Sequence, residues 1–326
     1  MKGMKADSVL VVGGSGFIGR HLVASLAAAG IQVTVPSRRR ERAKHLILLP
    51  TVDVVQADVM APGVLERLCA GKQAVYNLVG ILHGRRGRRD ERGPNDYGPD
   101  FARAHVELPL AIVAACRAAG VRRLLHVSAL GASPDAPSEY LRSKGIGERA
   151  LAAADDLDVT LFRPSVVFGP EDLFLNRFAW FAKLAPAIGV PCPNARFQPV
   201  FVGDVARALH FALDEPAAIG KAYELCGPRV YTMKALVEYV CAATHRRRLV
   251  IGLPDRVSYL QAWMLEHLPG PLMTRDNYFS MRVPSTCDAA FPFQIQPQDL
   301  EAIAPAYLAP SGPRERYPQF RWRARR

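Results

Sequence analysis

Several features that would settle a class at once are missing from this sequence. Its six cysteines, at 69, 116, 192, 226, 241 and 287, form no CxxC pair and no metal-ligand spacing. That excludes a zinc ribbon, a thioredoxin-like centre and any metal site legible from spacing. Several of them sit in apolar runs, so buried thiols in a reducing compartment are expected. No window approaches the roughly 18 apolar residues of a membrane span. The opening MKGMKADS runs straight into an apolar stretch, with neither a signal-peptide core nor an Arg/Ser-rich transit segment. The expectation is therefore a cytoplasmic protein with no transmembrane segment. There is no internal repeat, which removes solenoids and propellers. Acids are scarce relative to bases, 30 against 42, for a net charge of +12. The arginines concentrate at 38–42, 85–92, 246–248 and 314–326. Such a balance favours an acidic small molecule, nucleic acid or an anionic membrane surface as partner, or simply a solvated Arg-rich surface.

The most informative stretch is Val9 to Arg40, VLVVGGSGFIGRHLVASLAAAGIQVTVPSRRR. Four apolar residues run into Gly13, with Gly16 and Gly19 at three-residue intervals. A helical apolar pattern follows through Leu22, Val23 and Leu26, then a β-branched run from Ile31 to Val35. Strand, glycine turn, helix and strand make the opening βαβ unit of a dinucleotide-binding sheet. Gly13 serves the tight turn, Gly16 the approach of a pyrophosphate, and Gly19 the packing of helix on strand. The helix N-terminus then faces the phosphates. A left-handed φ is expected at Gly16, so that a β-branched residue there would be strained as well as obstructive. Phe17 and Ile18 belong to the same binding loop.

The second strand ends Pro36-Ser37-Arg38-Arg39-Arg40 with no acid before Glu41. A carboxylate there would bind the ribose 2′-hydroxyl of NAD, whereas arginine accommodates the 2′-phosphate of NADP. NADP(H) is therefore favoured over NAD(H), with Arg38 as the main contact and Ser37 or Arg39 assisting. Cations at a helix start oppose the macrodipole, a conflict that a bound anion relieves.

Val52 to Ala57 reads as a third strand, ended by Asp58-Val59, and Ala74 to Leu78 as a fourth, leading to Val79 and Gly80. A basic, glycine-rich surface loop follows. A helix from Asp100 to Ala119 precedes a fifth strand, Leu124 to Val127. Another helix, starting near Ser138 or Glu139, leads to a sixth strand, Val159 to Phe162. This alternation argues for an α/β, Rossmann-type doubly wound parallel sheet covered on both faces. Beyond Pro164 the alternation fails, which points to a smaller mixed C-terminal lobe. The expected domains are 1–168 with a returning segment near 198–228, then 169–310, then a poorly ordered basic tail at 311–326. Helix 255–268 carries apolar residues over most of its circumference. Burial against the lobe is the plainer expectation, and docking on a membrane or a large complex the alternative.

Tyr140 and Lys144 lie four apart on one helix and share a face. The ammonium favours the phenolate and so lowers the tyrosine pKa towards a useful acid/base. With a glycine-rich loop before them and Ser128 ending the fifth strand, the chain resembles the extended and atypical short-chain dehydrogenase/reductases, the group of NAD-dependent epimerases and dehydratases. The motifs are GGSGFIG (13–19), Asp58-Val59, YLRSK (140–144), RPSVVFGP (163–170), FVGDVARAL (201–209) and YELCGP (223–228). The resemblance covers roughly residues 7 to 230. It implies adenine contacts from Asp58 and Val59, an acid/base role for Tyr140 and a hold on the nicotinamide ribose by Lys144. It also implies that Pro164 to Val166 lie beside the nicotinamide, with Leu78, Val79 and Gly80 completing the cofactor set. VTVPSRRR, NLVGIL, HVSALGA and SEYLRSKGIGE look more narrowly like the branch of the NADPH-binding accessory subunit of respiratory complex I and its bacterial relatives. That branch implies NADPH as a structural ligand, and a place at the inner face of an energy-transducing membrane.

Two departures bear on catalysis. The family's catalytic Ser or Thr falls at Ala129 here, leaving Ser128 or Ser133 to substitute, and the loop from Ser128 to Tyr140 is short. The family's Asn on the helix after the fourth strand becomes His105, more often a structural residue. Three readings follow: an accessory or assembly protein with a structural cofactor; an active NADP-dependent oxidoreductase or epimerase on a nucleotide-sugar, isoprenoid or quinone-related substrate; and a nucleic-acid-associated protein. The last rests on charge alone, with no reading motif beside it.

Overall fold

The computed structural model describes residues 6–85, 96–268 and 272–309. The arginines of 86–92 and of the basic tail lie outside that range. The opening unit forms as its pattern requires: β1 (Ser8–Val12), α1 (Phe17–Ala28) and β2 (Gln32–Ser37). Next come β3 (Val52–Gln56), α2 (Val64–Cys69) and β4 (Ala74–Asn77). The helix expected over 100–119 is interrupted. It consists of α3 (Pro99–Ala102), a π-helical turn (Arg103–Glu107) and α4 (Leu108–Ala119). Then follow β5 (Arg123–Val127), α5 (Glu139–Ala152) and β6 (Asp158–Pro164). Ser138 caps α5, its hydroxyl accepting from the Leu141 N–H at 3.2 Å.

After β6 the elements shorten: β7 (Val167–Phe168), α6 (Phe174–Leu184), β8 (Ala187–Val190), β9 (Arg196–Phe197) and β10 (Val200–Phe201). Then come α7 (Val202–Phe211), β11 (Ala222–Leu225), β12 (Tyr231–Thr232), α8 (Met233–Ala243) and β13 (Leu249–Gly252). The last helices are α9 (Asp255–Glu266), α10 (Arg275–Ser280) and α11 (Leu300–Leu308).

The main sheet has seven strands in the order β11-β6-β5-β4-β1-β2-β3, and the pairs from β6 through β3 are parallel. The order reverses between β1 and β4, the switch point where such sheets take their ligands. Strand alternation sends Leu10, Val12, Val75, Leu124, Val159 and Leu161 to one face, under α2, α4 and α5. On this sheet Val9, Val11, Val33 and Val35 are equally buried. Both faces are thus covered, which is why the strands read as continuous apolar runs.

The chain divides into two compact units. One comprises the residues up to Pro164, together with Gly203–Glu224 and Pro292–Ile295. The other comprises Ser165–Val202, Leu225–Phe291 and the residues from Gln296 onward. The second unit has its own core, in which Leu175, Ala179, Ile188, Val190, Leu236 and Tyr307 pack together. In this unit two cysteines depart from expectation. Cys226 and Cys287 are joined in a disulfide with their Cα atoms 6.0 Å apart, within the usual range. The pair is 61 residues apart in sequence, a spacing that carries no local signal. Cys69, Cys116, Cys192 and Cys241 are free thiols.

Candidate dinucleotide site

The glycine loop occupies the C-terminal end of β1. Gly13 has φ +87°, and a Cβ there would stand 3.0 Å from the Leu78 carbonyl carbon and 3.1 Å from the Val79 nitrogen. The first glycine therefore lets the β4 exit segment press against the turn. Gly16 has an ordinary extended φ of −77° as the N-cap of α1. The positive φ expected there sits at Gly13 instead. What Gly16 supplies is space, since a Cβ would meet the Gly13 carbonyl oxygen at 3.1 Å. At Gly19 a Cβ would overlap the Gly13–Gly14 backbone outright, so helix and loop close on each other there. No side chain caps α1 and no acid lies in its first turn. The N–H groups of Phe17, Ile18 and Gly19 consequently point out of the helix start with no intrahelical acceptor.

At the next strand ends, the Ala57 N–H donates to the Ser37 carbonyl at 3.1 Å, which brings Asp58-Val59 alongside Ser37. The Ser37 hydroxyl is buried and donates to the Arg39 carbonyl at 2.9 Å. Arg38 and Arg39 are exposed. The short 3₁₀ turn that follows, Arg40–Ala43, has Glu41 in its first turn, a partial answer to the cluster's charge. Asp58 accepts from the Met60 N–H at 3.1 Å and faces Arg103 at 3.7 Å.

Lys144 connects the loop to the catalytic candidates. Its ammonium is buried and donates to the Val127 carbonyl at 3.0 Å and the Val79 carbonyl at 3.3 Å. A Cβ at Gly80 would stand 3.3 Å from the Lys144 nitrogen. The structure thus gathers Gly13, Leu78, Val79, Gly80 and Lys144 around the switch point. Burial lowers the Lys144 pKa to about 8, against the pull of Glu148 one turn on. Glu148 is itself clamped by Arg163, at 3.0 Å from Nε.

His105 lies in the π-helical turn, and its Nε2 accepts the Ile81 N–H at 3.1 Å. The neutral ring then carries its proton on Nδ1 and donates it to the Ser143 hydroxyl at 2.8 Å. The Ser143 hydroxyl in turn donates a hydrogen bond to the Tyr140 carbonyl at 2.8 Å. Tyr140 is half-buried, with its ring set edge-on to His105 at 5.5 Å between centroids. His105 is therefore a brace between the β4 exit and α5. The Ser128 hydroxyl is buried with no protein partner, and the Ala129 methyl is buried beside it in sequence. Ser133 is engaged, its hydroxyl accepting the Asp135 N–H at 3.3 Å. Pro164 closes β6 and its carbonyl accepts the Leu130 N–H at 3.1 Å. Val166 belongs to the second unit, where its carbonyl accepts the Val200 N–H.

Sequence reasoning passed over three residues that build this region. Gly145 and Gly147 of α5 have no room for a Cβ, which would overlap the Ser133 backbone and the His105 carbonyl respectively. Two glycines inside one helical pattern were the available signal. The third is His126 on β5, opposite Asn77 in register and buried, with no protein partner for either ring nitrogen.

The pattern of the NAD dependent epimerase/dehydratase family matches residues 9–226. The subunit named NADH dehydrogenase [ubiquinone] 1 alpha subcomplex subunit 9, mitochondrial, is 34% identical in Mus musculus over 251 residues, covering 75% of this chain and 63% of that protein. The Arabidopsis thaliana protein of the same name is 34% identical over 274 residues, covering 80% and 65%. The chain therefore spans somewhat less than two thirds of these relatives' length. A crystal structure of a nucleoside-diphosphate-sugar epimerase from Staphylococcus aureus shares the fold. Its TM-score is 0.70 at 19% identity, over 90% of this chain and 98% of that one. By the extent of the family match and the sheet, loop and Tyr-Lys helix beneath it, this chain belongs to the NAD dependent epimerase/dehydratase family.

Proposed function

We propose that the chain is an NADP(H)-binding accessory or assembly factor of a respiratory NADH:quinone oxidoreductase-type complex, and that its dinucleotide is a structural ligand. The observation that carries this reading is a contrast within one site. The close-packed glycine loop and the buried Lys144 suit a dinucleotide, whereas the position that the family resemblance gives to a substrate-polarising hydroxyl is the buried methyl of Ala129. The similarity to respiratory subunits supports the partner.

The glycine loop and the N–H groups of Phe17, Ile18 and Gly19 would hold the pyrophosphate. Arg38 and Arg39 would take the 2′-phosphate, in charge-assisted hydrogen bonds worth about 1.5–3 kcal/mol each. Lys144 and Tyr140 would hold the nicotinamide ribose, and Asp58 and Val59 the adenine. A nicotinamide dinucleotide supplies hydride transfer when a polarised substrate meets it. Loss of one positioned donor costs roughly a hundred- to a thousandfold in rate, so this chain's side chains bind and orient more than they polarise. A ligand at a thousand times its dissociation constant stabilises the fold that binds it by roughly 4 kcal/mol, which is function enough for a scaffold.

Mild solubilisation of the source membranes, capture of the full chain, and identification of its bound nucleotide and proteins tests the reading. The expected result is NADP(H) together with subunits of a respiratory complex. NAD(H), or a small soluble oligomer that turns over a substrate, would contradict it.

A further inference from the structure

The second unit carries an apolar surface that faces the wrong way for a core. Along α9 only Ser258 and Ala262 are buried. Leu260 is 52% exposed, Met264 58% and Trp263 45%, with Val257 and Leu268 also open. At 100° per residue Val257, Leu260, Trp263 and Met264 share one arc with Arg256, and Leu268 follows just past the helix end. The inner side of the helix is mixed, with Ala262 and Leu265 packed against Met273 and Tyr278 beside polar contacts. Ser258 donates to the Leu253 carbonyl and accepts the Cys192 N–H, and Gln261 donates to the Gly189 carbonyl of β8. Burial of the arc against its own lobe, the plainer expectation, does not hold.

The strand β13 has exposed apolar side chains of its own. Val250 packs into the core of the unit, so alternation turns Leu249 and Ile251 to the opposite face, and both are exposed. Gln261 reaches β8, the partner strand of β13, and so holds α9 beside that ribbon.

The exposed charges of α9 and of the segment before β13 that lack an ionic partner have one sign. Arg256 and Arg247 are exposed, with no counter-ion among the described residues. The acids of the helix are both paired, Glu266 in a largely buried pair and Asp255 in an exposed one. Asp255 accepts the Tyr278 hydroxyl at 2.7 Å and pairs with Arg282, and Glu266 pairs with Arg275 at 2.8 Å. We infer that the outer face of α9, with the edge of β13, docks on an anionic phospholipid surface. Apolar side chains in the middle, a tryptophan at the flank and unpaired cations beside them are the distribution of an interfacial helix. Each cation near such a surface adds attraction to acidic headgroups. A second copy of the chain would bring like charges together on a molecule already at +12. The inference does not rest on the dinucleotide reading.

The test is flotation of the full chain with phosphatidylcholine vesicles, with and without phosphatidylglycerol. It is paired with the emission of Trp263 in a Trp180→Phe/Trp322→Phe background. The docking surface predicts binding to the anionic vesicles, a blue shift of Trp263, and a loss of at least about tenfold in partitioning for Leu260→Glu/Met264→Glu. NADPH affinity of that variant reports that it is folded. Absence of binding at low salt overturns the proposal. So does binding that survives the double substitution, which would place the contact elsewhere on this basic chain. A self-association abolished by the same variant, without lipid binding, would assign the face to a second copy and overturn it as well.

Discussion

Burial sets the titration of the residues beneath the cradle. Desolvation first, then Lys144 and His126, push the His105 pKa from an ordinary 6.5 to about 2. His126 is held well below its ordinary value by burial and by Lys144. Below the ordinary histidine pKa the unfolded chain takes up protons that the native site refuses. Native stability is therefore lost as pH falls through that range, by about 1.4 kcal/mol per pH unit for each ring. His126→Leu removes one such ring together with two buried nitrogens that have no protein partner. It should raise stability at about pH 7 by about 1–2 kcal/mol and flatten its decline towards about pH 5, as read by urea unfolding. A less stable variant would mean that the ring is satisfied by something else. Tyr140 and Lys144 were legible in the sequence because i and i+4 must share a helix face. His126 was not, since a histidine within an apolar strand carries no mark of which neighbours surround it. The same holds for Cys226 and Cys287, whose meeting depends on the fold of a whole unit.

At the scale of elements, α5 is placed by what it lacks. Ordinary helices disfavour glycine by up to about 1 kcal/mol relative to alanine, yet Gly145 and Gly147 follow directly on the Tyr-Lys pair. The approach of Gly147 to the π-helical turn presents His105 to Ile81 and Ser143. Gly147→Ala should therefore destabilise, by at least about 2 kcal/mol net of its helix propensity. Its measurement is the midpoint and slope of denaturant unfolding, and an unchanged or raised midpoint would contradict the close contact. The π-helical turn had one mark in the sequence, Pro109, which has no N–H to offer the His105 carbonyl four residues before it. The βαβ opening was legible almost to the residue. Its glycine spacing and apolar runs have one geometric solution, though the roles of Gly13 and Gly16 in φ were exchanged.

For the molecule as a whole, the alternation of strands and helices up to Pro164 was enough to read a doubly wound parallel sheet covered on both faces, though not its strand order. The second unit was legible only in outline. Its two-stranded ribbons are two to four residues long, too short to carry a period. The outward apolar face of α9 inverts the rule by which helices are read, so the sequence favours its burial and leaves docking as the alternative. Among the described residues no helix is long and apolar enough to cross a membrane. The account's central claim, a cofactor that holds structure in a respiratory assembly, is tested most directly by Tyr140→Phe in a strain lacking the native chain. That substitution removes the one hydroxyl an acid/base would need and leaves the rest of the cradle in place. The account predicts normal respiratory growth, with NADPH content and assembly nearly unchanged because only one of the ribose contacts is lost. Failure to grow, with the variant folded and its NADPH bound, would contradict it.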